Sequence, residues 1–180
     1  MNALAQPQVG EYFKRHFVSA FQKVATFKVN GGNKQGGNVA SYFCTPEGRV
    51  LHVVAGPVNA DTLLREARWV NDTYQLALLG NPTPAQLRLF FGKAHRERLK
   101  LERPRLEVPE NRLPAIDAMS AKFLDQLLDQ NQHLGLTNTG KVHLLLSVAP
   151  LARLDRVYPA VFESILNEKI TTNPAEVAGK

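Results

Sequence analysis

The spacing of apolar residues changes period several times along the chain. In residues 7–24 it is helical, with Val9, Tyr12, Phe13, Phe17, Phe21 and Val24 on one stripe. Pro7 suits a first helical turn. A helix is predicted to about His16 or Phe17, then a connection and a strand through Val29. Residues 30–38, NGGNKQGGN, break the pattern and predict a flexible connection. A phosphate-cradling loop would need Gly-Lys-Ser/Thr leading into a helix, and Lys34 has neither. Residues 39–69 then read as a β-hairpin and a helix. Val39, Tyr42, Phe43 and Cys44 form one strand, Thr45-Pro46-Glu47-Gly48 the turn, and residues 50–54 the β-branched return strand. Gly56-Pro57 ends it. Asn59 is placed to cap a helix with Leu63, Ala67, Val70 and Tyr74 inside, stopping at Gly80 before Asn81-Pro82.

The second half is more helical. Thr83-Pro84-Ala85-Gln86 has capping-box spacing. The helix it starts uses Leu87, Phe90, Phe91, Ala94 and the stem of Arg98, and is expected to fray into a charged linker with Pro104, Pro109 and Pro114. Residues 115–134 predict another helix, with Ile116, Met119, Phe123 and Leu127 inside and Gly135 after it. The run 141–149, KVHLLLSVA, is read as helix in this helical context. The stripe Leu154, Val157, Tyr158, Val161, Phe162, Ile165, Leu166 is helical, so Pro159 must sit in its first turn or kink it. The last ten residues are expected to be mobile. The division is 1–80, an α/β unit; 81–114, a helix and charged linker; and 115–180, a helical extension.

Composition narrows the classes. A chain of 180 residues has room for one good core. No apolar run is long enough to cross a bilayer, so no membrane partner is expected. The first residues lack a secretory pattern, which predicts a cytoplasmic protein, or an exported one if a signal segment precedes Met1. One cysteine excludes an internal disulfide and a cysteine-rich zinc site. The net charge of +6 is modest. Its cluster, Arg96, Arg98, Lys100, Arg103 and Arg105, interleaves with Glu97, Glu102 and Glu107 and has no aromatic residues for base stacking, so nucleic acid is not an expected partner.

The order helix, strand, hairpin and helix resembles the C-terminal part of a thioredoxin-like domain. The residues that carry the likeness are 9–18, VGEYFKRHFV; 42–50, YFCTPEGRV; and 55–58, AGPV. It covers under half the chain, about residues 8–79. It implies an α/β fold with a small antiparallel-rich sheet and helices packed on it. The helical C-terminal extension added to that fold comes from the periodicity of residues 115–180 and is not explained by the resemblance. The family's Cys-x-x-Cys is absent, and its place would lie just upstream of Met1 with a first strand. No proline stands near Val39, where the family's cis-proline would fall. Disulfide exchange is therefore carried over to no residue here. Met1 is read as a possible internal methionine of a longer frame.

Cys44 is the candidate reactive thiol, with His52 on the partner strand as the positive group that could activate it. If Cys44 pairs with Val50, the two share a face as diagonal neighbours; a one-residue register change separates them. Buried core is the favoured reading for Cys44, and the reactive dyad is the alternative. His16, His95, His133 and His143 are scattered without metal-ligand spacing, and each is expected to be satisfied or exposed. Asp125 and Asp129 lie one helical turn apart on a polar face. Trp69 is expected at the edge of the core. No cofactor and no metal are expected. The function expected is a non-catalytic thioredoxin-like binding or scaffold module, meeting a protein partner or a second copy through an exposed sheet edge. The alternative is a thiol-disulfide oxidoreductase relative that uses Cys44 or an upstream dithiol.

Overall fold

A computed structural model describes residues 3–22, 27–30, 33–35, 38–104, 126–127, 135–170 and 175–177. Helix α1 (Pro7–His16) has Pro7 in its first turn and ends at Phe17, whose φ is −136°. Its Val9 is buried, with Tyr12, Phe13 and Phe17 packed around the same cluster. Phe21 is exposed, so the helical spacing beyond His16 does not mark a continuing helix.

Strand β1 (Phe27–Asn30) pairs antiparallel with β2 (Asn33–Gln35). The segment expected to be only a connection therefore contributes a strand. Strands β3 (Ala40–Cys44) and β4 (Val50–Ala55) form a second, separate antiparallel sheet. The single sheet expected from the sequence is thus two small ones among the described residues.

The turn between β3 and β4 forms as read. Gly48 adopts φ 74° and its N–H donates to the Thr45 carbonyl at 2.9 Å. Cys44 pairs with Val50, but Phe43 pairs with His52, leaving Leu51 as the extra residue of a bulge. A cross-strand pair shares one face and neighbours along a strand alternate, so His52 goes with Phe43. Cys44 lies on the other side. The diagonal Cys44–His52 arrangement is corrected by this bulge.

Helix α2 (Ala60–Leu78) is capped by Asn59, whose Oδ1 accepts from Thr62 N–H at 2.8 Å. Gly80, at φ 84°, follows its end. Helix α3 (Pro84–Glu102) opens with the capping box of Thr83 and Gln86. Helix α4 (Asn138–Val148) is capped by Thr137. Helix α5 (Leu154–Ala160) holds Pro159 inside it, not in its first turn. Proline lacks the N–H that an α-helical ladder needs. The chain widens directly afterwards into a π turn (Val161–Ile165), with Leu166 N–H donating to the Val161 carbonyl at 3.0 Å. Strand β5 (Ala175–Val177) pairs parallel with β1, so part of the tail expected to be mobile is a strand.

Val50 to Val54 are all buried, and the β3–β4 hairpin lies between two cores. On one side Val50 and Val53 pack with Val142, Leu145 and Leu146 of α4 and with Val157, Phe162 and Ile165. On the other, Phe43, Leu51 and Val54 pack with Val9, Leu63, Ala67, Val70 and Phe91. The charged end of α3 is a fastening as well as a surface. Arg96 donates to the Ser147 carbonyl at 3.4 Å, Arg103 to the Gly135 carbonyl at 3.0 Å, and Glu102 accepts from Thr137 N–H at 2.7 Å. Lys100 pairs with Glu97 at 3.0 Å, as charge interleaving implies.

The hairpin edges expected to be open are partly taken by the chain itself. Val50 N–H donates to the Ala152 carbonyl at 2.9 Å, and Asn38 Nδ2 donates to the Leu166 carbonyl at 3.2 Å. The predicted helix 115–134 lies outside the described residues except for Gln126 and Leu127, and so do Arg105, Glu107, Pro109, Pro114, Asp125, Asp129 and His133. No helix among the described residues is long and apolar enough to cross a membrane.

Leu145 is fully buried against β4, whereas Leu101 is 81% exposed. Leu145→Ala is expected to lower the unfolding free energy by about 2–5 kcal/mol. Leu101→Ala is expected to change it by less than about 0.5 kcal/mol, both read from urea denaturation.

Candidate metal centre

Three elements meet at three histidines. His52 comes from β4, where the bulge turns it to the Phe43 side. His95 lies one turn after Phe91 and one turn before Leu99, in the middle of the buried stripe of α3. His143 lies on α4 between buried Val142 and Leu144. All three are 1–2% exposed. The His52 ring stacks on Phe43 and on His143, with centroids 6.3 and 5.2 Å away, and Trp69 stands edge-on at 5.1 Å. One ring nitrogen from each histidine lies within 4.8 Å of the others.

Hydrogen bonding assigns the protons. His95 Nε2 is 2.9 Å from the Leu51 carbonyl, which only accepts, so Nε2 carries the hydrogen and Nδ1 is a bare lone pair. That lone pair faces His143 Nδ1 at 2.8 Å, so His143 donates there and its Nε2 is bare. His52 Nε2 is 3.3 Å from Glu66 Oε2 and donates to it, leaving its Nδ1 bare. His52 Nδ1 and His143 Nε2 have no hydrogen-bond partner among the described residues. Buried polar atoms without partners are rare enough that each needs an explanation.

The surroundings hold the rings neutral. Burial pushes His95 down to about 3, and nearby His52 and Arg98 add to the shift. Burial also pushes His143 down, helped by His95. For His52 burial outweighs the opposing hydrogen bond and charge of Glu66. Burial alone would raise the Glu66 carboxyl, but its hydrogen bond to His52 and the Arg98 guanidinium hold it at about 2. Arg98 Nη2 is 2.5 Å from Glu66 Oε2, and its guanidinium lies 4.7 Å from the Trp69 ring centre. Thus α2 supplies a buried carboxylate and a ring, and α3 supplies the cation between them.

Of the residues the sequence singled out, His52 belongs to this cluster. Cys44 does not: it packs on the α4 and α5 side, and burial pushes its thiol up to about 11. His95 and His143, read as scattered, are brought together with His52. Glu66 was missed altogether, and Trp69 sits against all three rings. The available signal was a polar residue at a core position. His95 is four residues from both Phe91 and Leu99, and His143 interrupts an apolar run. No short motif spans intervals of that length.

Comparison with known proteins found no matching family model, no matching curated protein and no matching solved structure. The class is therefore defined by the molecule's own features: an α/β protein with a buried three-histidine cluster.

An unfolded histidine takes up its proton below about pH 6.5, whereas His95 in the folded protein does so only near 3. The unfolded chain thus binds more protons across that window, and folding stability falls as pH falls. Glu66 adds a further loss below about 4.5, toward its folded value of about 2. The metal-free protein is expected to lose up to about 1.4 kcal/mol per pH unit for each buried histidine below about pH 6.5. Urea denaturation between about pH 8 and pH 5 measures this; a flat profile would contradict neutral burial of the rings.

Proposed function

We propose that the protein binds one divalent transition-metal ion through His52, His95 and His143. The observation that carries this reading is the set of outward partners on the rings: the Leu51 carbonyl on His95 Nε2 and the Glu66 carboxylate on His52 Nε2. Histidine ligands to metals characteristically donate their second nitrogen to such groups, which fix the tautomer and raise ligand basicity. Nδ1 of His52, which has no hydrogen-bond partner among the described residues, and Nδ1 of His95, once released from its hydrogen bond to His143, are then the ligating atoms. His143 offers Nε2 as it stands, or Nδ1 after its proton moves.

The dimensions suit such an ion. Zinc–nitrogen bonds of about 2.0–2.1 Å place tetrahedral ligands about 3.3 Å apart. The three nitrogens lie within 4.8 Å of one another, so the rings would have to draw together and the His95–His143 hydrogen bond, at 2.8 Å, would have to open for all three to bind one ion. Imidazole suits zinc, copper, iron and nickel, not magnesium or calcium. The ion would supply Lewis acidity. The chain's part is to keep three imidazoles neutral and aimed, through Leu51 and Glu66, with Arg98 balancing the carboxylate.

A second reading keeps the thioredoxin-like frame as a binding module without a dithiol. The order of α1, the Pro46-Glu47-Gly48 hairpin, the Gly56-Pro57 joint and α2 supports it. A protein partner or second copy would then add to the part of the hairpin edge that the C-terminal segment leaves uncovered. Within that reading, the oxidoreductase alternative asks for an activated thiol at Cys44.

Zinc titration of the full chain, followed calorimetrically, is expected to show one equivalent bound. His143→Asn is expected to weaken binding more than about 100-fold, and Glu66→Gln about 10–100-fold. Unchanged affinity in both variants would refute the metal reading. For Cys44, a thiol held near 11 has about 100-fold less thiolate at neutral pH than a free one. Labelling by a thiol reagent is therefore expected to be far slower in the folded protein than in denaturant; fast folded-state labelling would favour the oxidoreductase alternative.

A further inference from the structure

A cleft of about 500 Å³ reaches the three-histidine cluster from one side. His52 and His143 form part of its wall and His95 does not, so it meets the centre at two of the three rings. Glu66, Arg98 and, farther along, the Glu102 carboxylate, which is held by Thr137, continue that wall. Val58 and Leu101 give it an apolar side, and Arg65, whose side chain is 64% exposed, also lines it. Its volume far exceeds the roughly 30 Å³ of a water molecule and falls within the range of organic ligand pockets.

Charge narrows the ligand. Among the described residues the metal-ligating group has three members, all neutral imidazoles, so a divalent ion there keeps its full charge. Glu66 is matched by Arg98 at 2.5 Å and by Arg65 at 3.5 Å and supplies no net anion. A buried dication without compensation is strongly unfavourable, and a three-histidine set leaves a coordination position vacant. An anion arriving through the cleft answers both requirements.

We infer that the cleft admits a small organic acid, whose carboxylate takes the fourth position on the metal while its short apolar body lies along Val58 and Leu101. Arg65 is the counter-charge that draws it in. This inference rests on the metal reading above. It adds the class of ligand and the route by which that ligand arrives.

The test uses the full chain loaded with cobalt(II), whose visible absorption reports the coordination shell, titrated with butyrate, acetate and inorganic phosphate. Butyrate is expected to change the spectrum saturably and to bind more tightly than acetate, which lacks the apolar body. Arg65→Gln is expected to weaken butyrate about fivefold, the scale of an exposed charge pair. Leu101→Asp, at an exposed position, is expected to weaken it further. A normal cobalt spectrum that butyrate leaves unchanged would overturn this inference while the metal reading stands, as would a response to phosphate alone. Absence of any cobalt spectrum would overturn both.

Discussion

A strand buried on both faces must be covered twice, and β4 imposes that condition on the whole chain. Val50 and Val53 demand apolar cover on one side, Leu51 and Val54 on the other. The first cover is α4 and the turns that follow it; the second is α1, α2 and α3. A hairpin alone is at best marginally stable in water. Here it gains its stability from two helical layers drawn from opposite ends of the sequence, so the C-terminal helices are half of the core.

The bulge between Cys44 and Phe43 decides which chemistry that strand supports. One extra residue on β4 pairs His52 with Phe43 and so sends it toward α2 and α3. There it meets the Glu66 carboxylate, the Trp69 edge and the two other imidazoles. Cys44 is left among apolar side chains, where its thiol is held protonated. The same insertion therefore assembles the histidine cluster and separates it from the cysteine.

Burying three imidazoles and a carboxylate beside a half-buried guanidinium is costly unless each polar atom is answered. Much of the network is: Leu51 answers His95, His143 answers His95 in turn, Glu66 answers His52, and Arg98 answers Glu66 across the face of Trp69. What is left over among the described residues is lone pairs on His52 and His143, the atoms that the proposed metal would answer. Neutrality of the rings has the same cause. In a buried site beside an arginine, a proton on any of them is repelled and poorly solvated.

Local features were legible in the sequence because they depend on neighbours a few residues apart. The ends of α1 and α2, the Asn59 cap, the Thr83 capping box, the Gly48 turn and the helical state of residues 141–149 follow from propensity, capping and period. The sheet organisation was not, because the pairing of β1 with β5 joins residues at opposite ends of the chain. Nor was the register of one bulged residue, which local pattern does not resolve and which reverses the face of every side chain beyond it. The three histidines show the limit most plainly. Each was visible as a polar residue among apolar ones, which by itself fits an isolated buried histidine equally well. Their meeting was decided only when β4, α3 and α4 packed together, because contacts between residues more than 40 positions apart are set by the shape of the core and leave no spacing to read along the chain.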